Sequence, residues 1–199
     1  MSINNKQKKI FLDIGSHNGQ TIIKAIETFP DFDLYIGIEP VKELFDTSLK
    51  RIPEEYRKRV RMINAVVNYQ KKPKDEVTFF VDVGSSNQMG SSLLKDKDNK
   101  KIKEIKVDSI DIRHLLSEFN ENDYIVFKID IEGKEYDILS AMCKHKLFAN
   151  IKKIYCEWHY HKTKTISKAR HDEVVRLVNS FGYSLTGASK KDEFYRGSR

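Results

Sequence analysis

Long apolar runs are missing from this chain, and with them several classes of protein. No stretch approaches the roughly 20 apolar residues that a membrane-spanning helix needs. The apolar run before Gly15 is too short for the core of a secretory signal. The chain is therefore expected to stay in the cytoplasm. Cysteine is nearly absent: Cys143 and Cys156 are the only two, without metal-ligand spacing, so they read as reduced, buried thiols rather than a disulfide framework. With 4 prolines and 9 glycines in 199 residues, no flexible or proline-rich linker divides the sequence, and no internal repeat or low-complexity tract appears. One domain over 1–199 is expected.

What is present is an ordinary globular composition with a basic bias. Hydrophobic residues make up 39% and charged residues 33%, enough apolar material for one core and too much for a disordered chain. A net charge of +7 and a pI near 9.2 suit a partner or substrate carrying negative charge, such as a phosphorylated metabolite, a nucleotide sugar or RNA. The densest lysine stretch, "KDKDNKKIKEIK", also carries acids and reads as a solvated loop or strand edge.

Apolar, β-branched runs at 9–14, 34–38, 60–67, 124–131 and 151–156 read as strands. Helical periodicity marks about 19–29, 41–52, 111–118, 133–148 and 168–181. Strand followed by helix, repeated, predicts an α/β, Rossmann-like doubly wound and mostly parallel sheet covered on both faces. Residues 68–110 break that pattern with two strand-like pieces, "EVTFFVDVG" and "IKEIKVDSI", around a polar loop, and read as an insertion. "GYSLTG" and "DEFYRG" predict a C-terminal antiparallel hairpin, for seven strands in all.

In such sheets ligands sit beyond the carboxyl ends of the strands, lined by the first strand-to-helix turn. Here that turn is "DIGSHNG". Its G-x-x-x-G spacing departs from the dinucleotide pattern, and Asp13 would repel a pyrophosphate but welcome an ammonium group. S-adenosylmethionine carries one. The candidate cofactor contacts are Asp13, Gly15, Ser16, His17, Asn18 and Gly19, with Thr21 opening the helix; a tight turn without ligand is the structural alternative. About twenty residues on, "GIEP" ends the second strand, where Glu39, followed by Pro40, can accept hydrogen bonds from both hydroxyls of a ribose or else simply cap the helix from Val41. Asn64, Ala65 and Val66 end the third strand, where an adenine ring would lie.

The fourth strand runs into Lys128, Asp130 and Glu132 and then Gly133. Charges alternating at the end of a buried strand are costly unless paired or used, so either an ion cluster fixing the loop or a reactive site is implied. With "FLDIGSHNGQT", "GIEP", "NQMGSSLL", "VDSID", "KIDIEGKEYDIL" and "CEWH" in view, the chain resembles the FkbM family of class I S-adenosylmethionine-dependent methyltransferases. "KIDIEGKE" is the most specific motif, and His17 stands where the family usually carries Asn.

The resemblance implies O-methylation of a small molecule or glycan hydroxyl. Because the sulfonium is already activated, the protein mainly aligns the nucleophile and removes its proton. On this reading Asp130 positions cofactor or substrate, Glu132 contacts substrate or accepts the proton, and His159 is the candidate general base. Asn87, Ser91 and Ser92 of the insertion, with Trp158, Tyr160 and His161 after the fifth strand, are the candidate substrate contacts. A divalent metal at Asp130, Glu132 and His159 is the less favoured reading, since H-x-H spacing is weak evidence for one. Two further readings compete. An RNA ribose methyltransferase would use Asp130 and Glu157 with lysines such as Lys8, Lys9 or Lys134, though no aromatic-interleaved basic face accompanies them. A non-catalytic nucleoside-binding module would keep the fold without turnover.

Overall fold

The computed structural model describes residues 6–72, 74–84, 90–95, 101–183 and 185. Its elements follow in the order β1 (Lys9–Ile14), α1 (Gln20–Thr28), β2 (Leu34–Ile38), α2 (Lys42–Arg51), β3 (Val60–Ile63), β4 (Val66–Asn68), β5 (Glu76–Asp82), β6 (Ile102–Asp111), α3 (Ile112–Ser117), β7 (Tyr124–Ile129), α4 (Glu135–His145), β8 (Ile151–Cys156) and α5 (Lys168–Asn179). The central sheet is parallel, in the order β3-β2-β1-β7-β8. The strand order reverses between β1 and β7, which opens a crevice beyond their carboxyl ends.

Alternation along each strand divides the core into two layers. Ile10, Leu12 and Ile14 of β1, with Ile125, Phe127 and Ile129 of β7, pack with Ile112, Leu139, Met142 and Val174 from α3, α4 and α5. Phe11 and Val126 face the other way, onto Ile22, Ala25 and Ile26 of α1. Burying one such Ile or Phe side chain stabilises by about 1.5–3 kcal/mol, so the periodicity of "TIIKAI" suffices to hold α1 on the sheet. Helix ends follow local chemistry. Ser167 accepts from the Arg170 N–H at the start of α5 and Asp111 from the Arg113 N–H at the start of α3.

The described residues show part of the expected sheet, the two strands of the C-terminal hairpin falling almost wholly outside them. They form five parallel strands and a separate three-stranded sheet, β4-β6-β5. The predicted strand over 60–67 is broken. After Ile63 the Asn64 side-chain amide donates to the Glu39 and Pro40 carbonyls, turning the chain off the sheet edge, so that Val66–Asn68 pairs with Ser109–Asp111 instead. Residues 68–110 thus supply β5 and β6, which pair antiparallel and pack Val77, Phe79, Val81 and Val107 with Val41 and Val66. Apart from Gly182, Tyr183 and Leu185, the predicted C-terminal hairpin lies outside the described residues. Cys143 and Cys156 are buried and free. Among the described residues no helix is long and apolar enough to cross a membrane.

Candidate active site

At the switch point a cavity of about 590 Å³ opens beyond β1, β2 and β7, a volume within the range of small-molecule sites. Ile14, Gly15, His17 and Thr21 line one side, and Glu39 and Pro40 the end of β2. The small sheet contributes Val66, Val67 and Phe79, the segments beside it Ala65 and Ser91, and the loop after β7 Asp130, Ile131 and Glu132. The insertion is therefore a wall of the cavity.

The glycine turn is built for close approach. Gly15 has φ +86°, and a β-carbon there would lie 1.9 Å from the Asp130 carbonyl oxygen; only hydrogen lets the end of β1 touch the end of β7. At Gly19, φ +82°, a β-carbon would lie 2.7 Å from Ser48 Cβ of α2. Ser16 Oγ and Asn18 Oδ1 are buried and make no hydrogen bond, and neither residue lines the cavity.

Asp13 sits lower than its sequence position suggests. It is fully buried and absent from the cavity wall. Register explains this: Asp13 lies directly opposite Lys128, and Lys128 Nζ donates to Asp13 Oδ1 at 3.1 Å and to Asp130 Oδ2 at 3.4 Å. Burial pushes the Asp13 pKa up while Lys128 pulls it down, with a net rise. Asp13, read as an ammonium contact, thus lies beneath the cavity floor, with Oδ1 accepting from Lys128 and Oδ2 without a hydrogen bond.

Glu39 does face the cavity, although it is only 6% exposed. Its two oxygens accept from the backbone N–H groups of His17 and Val41, each at 2.9 Å. Burial nevertheless raises its pKa from 4.5 to about 7 against the pull of these bonds, and the charges of Asp13 and Asp130 add to the rise. Asn64, by contrast, spends its amide on the Glu39 and Pro40 carbonyls and does not line the cavity.

The third group surrounds His159, which is fully buried. Its Nδ1 lies 3.1 Å from Glu135 Oε1, and its backbone N–H donates to the same oxygen at 2.9 Å. Its Nε2 points at Glu157 Oε1 (3.4 Å), Glu132 Oε1 (3.5 Å) and Asp130 Oδ1 (3.7 Å). Burial alone would lower its pKa, but Glu135, Glu157 and Glu132 outweigh that and raise it to about 9. The acids around His159 thus favour the charged form of its ring, which does not line the cavity. His159 holds Glu157 below its ordinary range, burial opposing and Lys162 and Lys128 adding to the fall.

Of the proposed substrate contacts, Ser91 lines the cavity. Ser92 is buried and clamps the insertion, its hydroxyl donating to the Glu132 carbonyl at 2.8 Å. Trp158 packs between Tyr136 and His171, with ring centroids 5.2 and 4.9 Å away, and His161 is exposed; neither lines the cavity, and nor does Tyr160. Asn87 lies outside the described residues. The lysines read for an RNA enzyme are dispersed. Lys8 and Lys9 stand at the opposite end of β1, Lys9 paired with Asp31, whereas Lys134 lines the cavity and pairs with Asp137 at 2.7 Å. Glu157 and Lys162 also line the cavity without having been assigned to the small-molecule site. An acid ending a parallel strand is the signal that could have found Glu157.

Residues 13–185 match the family model described as the methyltransferase FkbM domain. No curated protein matches the chain. A solved structure of methyltransferase FkbM from Methylobacillus flagellatus KT is similar at 14% identity and a TM-score of 0.47, the match covering 86% of this chain and 37% of that one. The present chain thus spans well under half the length of that protein.

Proposed function

The chain belongs to the FkbM methyltransferase family, and from that premise we propose that it transfers the methyl group of S-adenosylmethionine to a hydroxyl of a small molecule or glycan. The observation carrying this reading is Glu39: a carboxylate held by two backbone N–H groups yet facing a cavity, where it can accept from both hydroxyls of a ribose. The bend at Gly15 leaves backbone exposed beside it, and Ala65, Val66 and Phe79 offer apolar surface for an adenine ring. The bound cofactor supplies a methyl group already activated as a sulfonium. Asp130, Glu132 and Glu157 face the same cavity and orient an acceptor hydroxyl. Its proton passes to the Glu157 carboxylate, which lines the cavity as His159 does not. Lys162, 3.7 Å from Glu132 and 4.0 Å from Glu157, leaves a cation at the rim for an acceptor that carries negative charge.

Calorimetry with S-adenosylhomocysteine, followed by mass spectrometry of hydroxylated acceptors incubated with S-adenosylmethionine, tests the proposal. One nucleoside bound per chain and a gain of one methyl on an acceptor oxygen are expected. Absence of nucleoside binding would refute it.

A further inference from the structure

His159 is placed as a ligand is placed. Its Nδ1 and backbone N–H both meet Glu135 Oε1, while the other Glu135 oxygen accepts from the Gly133 N–H at 2.8 Å. Glu135 is itself fully buried. An acceptor at Nδ1 fixes the tautomer and turns the Nε2 lone pair of a neutral imidazole towards the cavity, the carboxylate-behind-histidine arrangement that holds metal-binding histidines. Nε2 is buried and makes no hydrogen bond. One oxygen each from Asp130 and Glu132 and a ring nitrogen of His159 lie within 4.8 Å of one another.

Distances and charge agree. Ligands about 2.1 Å from a common ion stand about 3.0–3.5 Å apart; Nε2 lies 3.5 Å from Glu132 Oε1 and 3.7 Å from Asp130 Oδ1, and the two partly exposed carboxylates would draw together to complete the set. Around it stand the carboxylates of Asp130, Glu132, Glu135 and Glu157, with Lys128 3.4 Å from Asp130 and Lys162 3.7 Å from Glu132. Such a gathering of acids about one buried nitrogen is what a bound cation offsets.

We propose that Asp130, Glu132 and His159 form a three-ligand site for a divalent cation of the Mn²⁺ class, with open positions facing the cavity. Two carboxylate oxygens and one imidazole suit Mn²⁺ or Zn²⁺ better than the all-oxygen preference of Ca²⁺ or Mg²⁺. The site stands on its own geometry. Its use rests on the methyl-transfer reading: an acceptor hydroxyl taking an open position would become more acidic. Glu157 is not among the three ligands, so it remains to take that proton. A cation bound at Nε2 would occupy the lone pair that a base requires.

The test is a Mn²⁺ titration of the full chain after chelator treatment, without cofactor, read by the loss of the free-ion electron paramagnetic resonance signal. One ion per chain is expected, with affinity falling at least tenfold in Asp130→Asn and in Glu132→Gln, both partly exposed positions where the amide keeps the side chain's size. His114→Ala, at an exposed histidine of α3, should leave binding unchanged and reports adventitious surface sites. Thermal melts check that each variant is folded. No Mn²⁺ or Zn²⁺ binding, or binding equal in all variants, overturns the site. A parallel calorimetric titration with S-adenosylhomocysteine separates the two proposals: nucleoside binding without ion binding sinks the cation site alone, and ion binding without nucleoside binding sinks the methyl-transfer reading alone.

Discussion

Replacing Glu39 by Gln should raise stability at neutral pH while weakening cofactor binding. In the fold this carboxyl titrates near 7 against an ordinary 4.5, so folding favours its protonated form. A raised carboxyl pKa contributes stability below pH 4.5 that is lost as pH rises through 7, and the loss comes to about 3 kcal/mol at about 1.4 kcal/mol per unit. Gln carries no charge at any pH and loses nothing across that window. It can accept through one oxygen only, so one of the N–H groups of His17 and Val41, both now bonded to Glu39, meets an amide N–H₂ instead, at about 1–3 kcal/mol.

The variant's stability relative to the native chain should therefore rise by about 2 kcal/mol between about pH 5 and about pH 8, from an offset set by that lost bond. Urea denaturation at intervals across this range reads the difference directly. Cofactor affinity should move the opposite way. Loss of a charged acceptor for two hydroxyls costs about 1.5–3 kcal/mol, or roughly 10- to 100-fold in S-adenosylhomocysteine affinity by calorimetry at about pH 8. Native affinity should also fall as pH drops below about 7, while the variant's stays flat. Stability curves that run parallel for the two proteins would refute the burial cost assigned to Glu39, and unchanged affinity would refute its place against the ribose.

Lys128→Met leaves Asp13 and Asp130 without their buried cation and should cost about 3–5 kcal/mol in denaturation, with Asp13→Asn in the same chain recovering part of the loss. Gly15→Ala drives a β-carbon to 1.9 Å from the Asp130 carbonyl oxygen; a loss of about 2 kcal/mol or more is expected, with S-adenosylhomocysteine binding impaired together with the melting temperature. Trp158→Ala empties a buried position against Tyr136 and His171 and should cost about 3–5 kcal/mol, yet the affinity for S-adenosylhomocysteine should not change, because the indole does not line the cavity.

Residue type and spacing reveal this molecule up to a definite point. The alternation of Ile10, Leu12 and Ile14 against Phe11 and the 3.6-residue recurrence of Ile22, Ala25 and Ile26 are local, and they made β1 and α1 legible. The break at Asn64 was not. A strand-like run reads the same whether it pairs with one sheet or two, and what divides it is an amide reaching the Glu39 and Pro40 carbonyls 25 and 24 residues back. The same limit governs the site. Asp13 at the end of β1 is visible as an acid beside a glycine turn. That it is spent on Lys128 depends on the β1–β7 register across 115 residues, which no local pattern encodes.

His159 carries the point furthest. Read alone, "HYH" is a pair of polar residues in a loop, and a base there is a reasonable guess. Its environment is decided by Glu135, an acid in the first turn of α4 that is buried rather than solvated. That acid lies 24 residues earlier, and β8 carries the chain back to it. A buried carboxylate behind one nitrogen and three carboxylates before the other favour positive charge at a ring that would otherwise be a neutral acceptor. The chemistry of the side chain is the same in both readings. Its role changes because parallel strands separated by a helix bring acids from two loops to one nitrogen, and that convergence exists only once the sheet has formed.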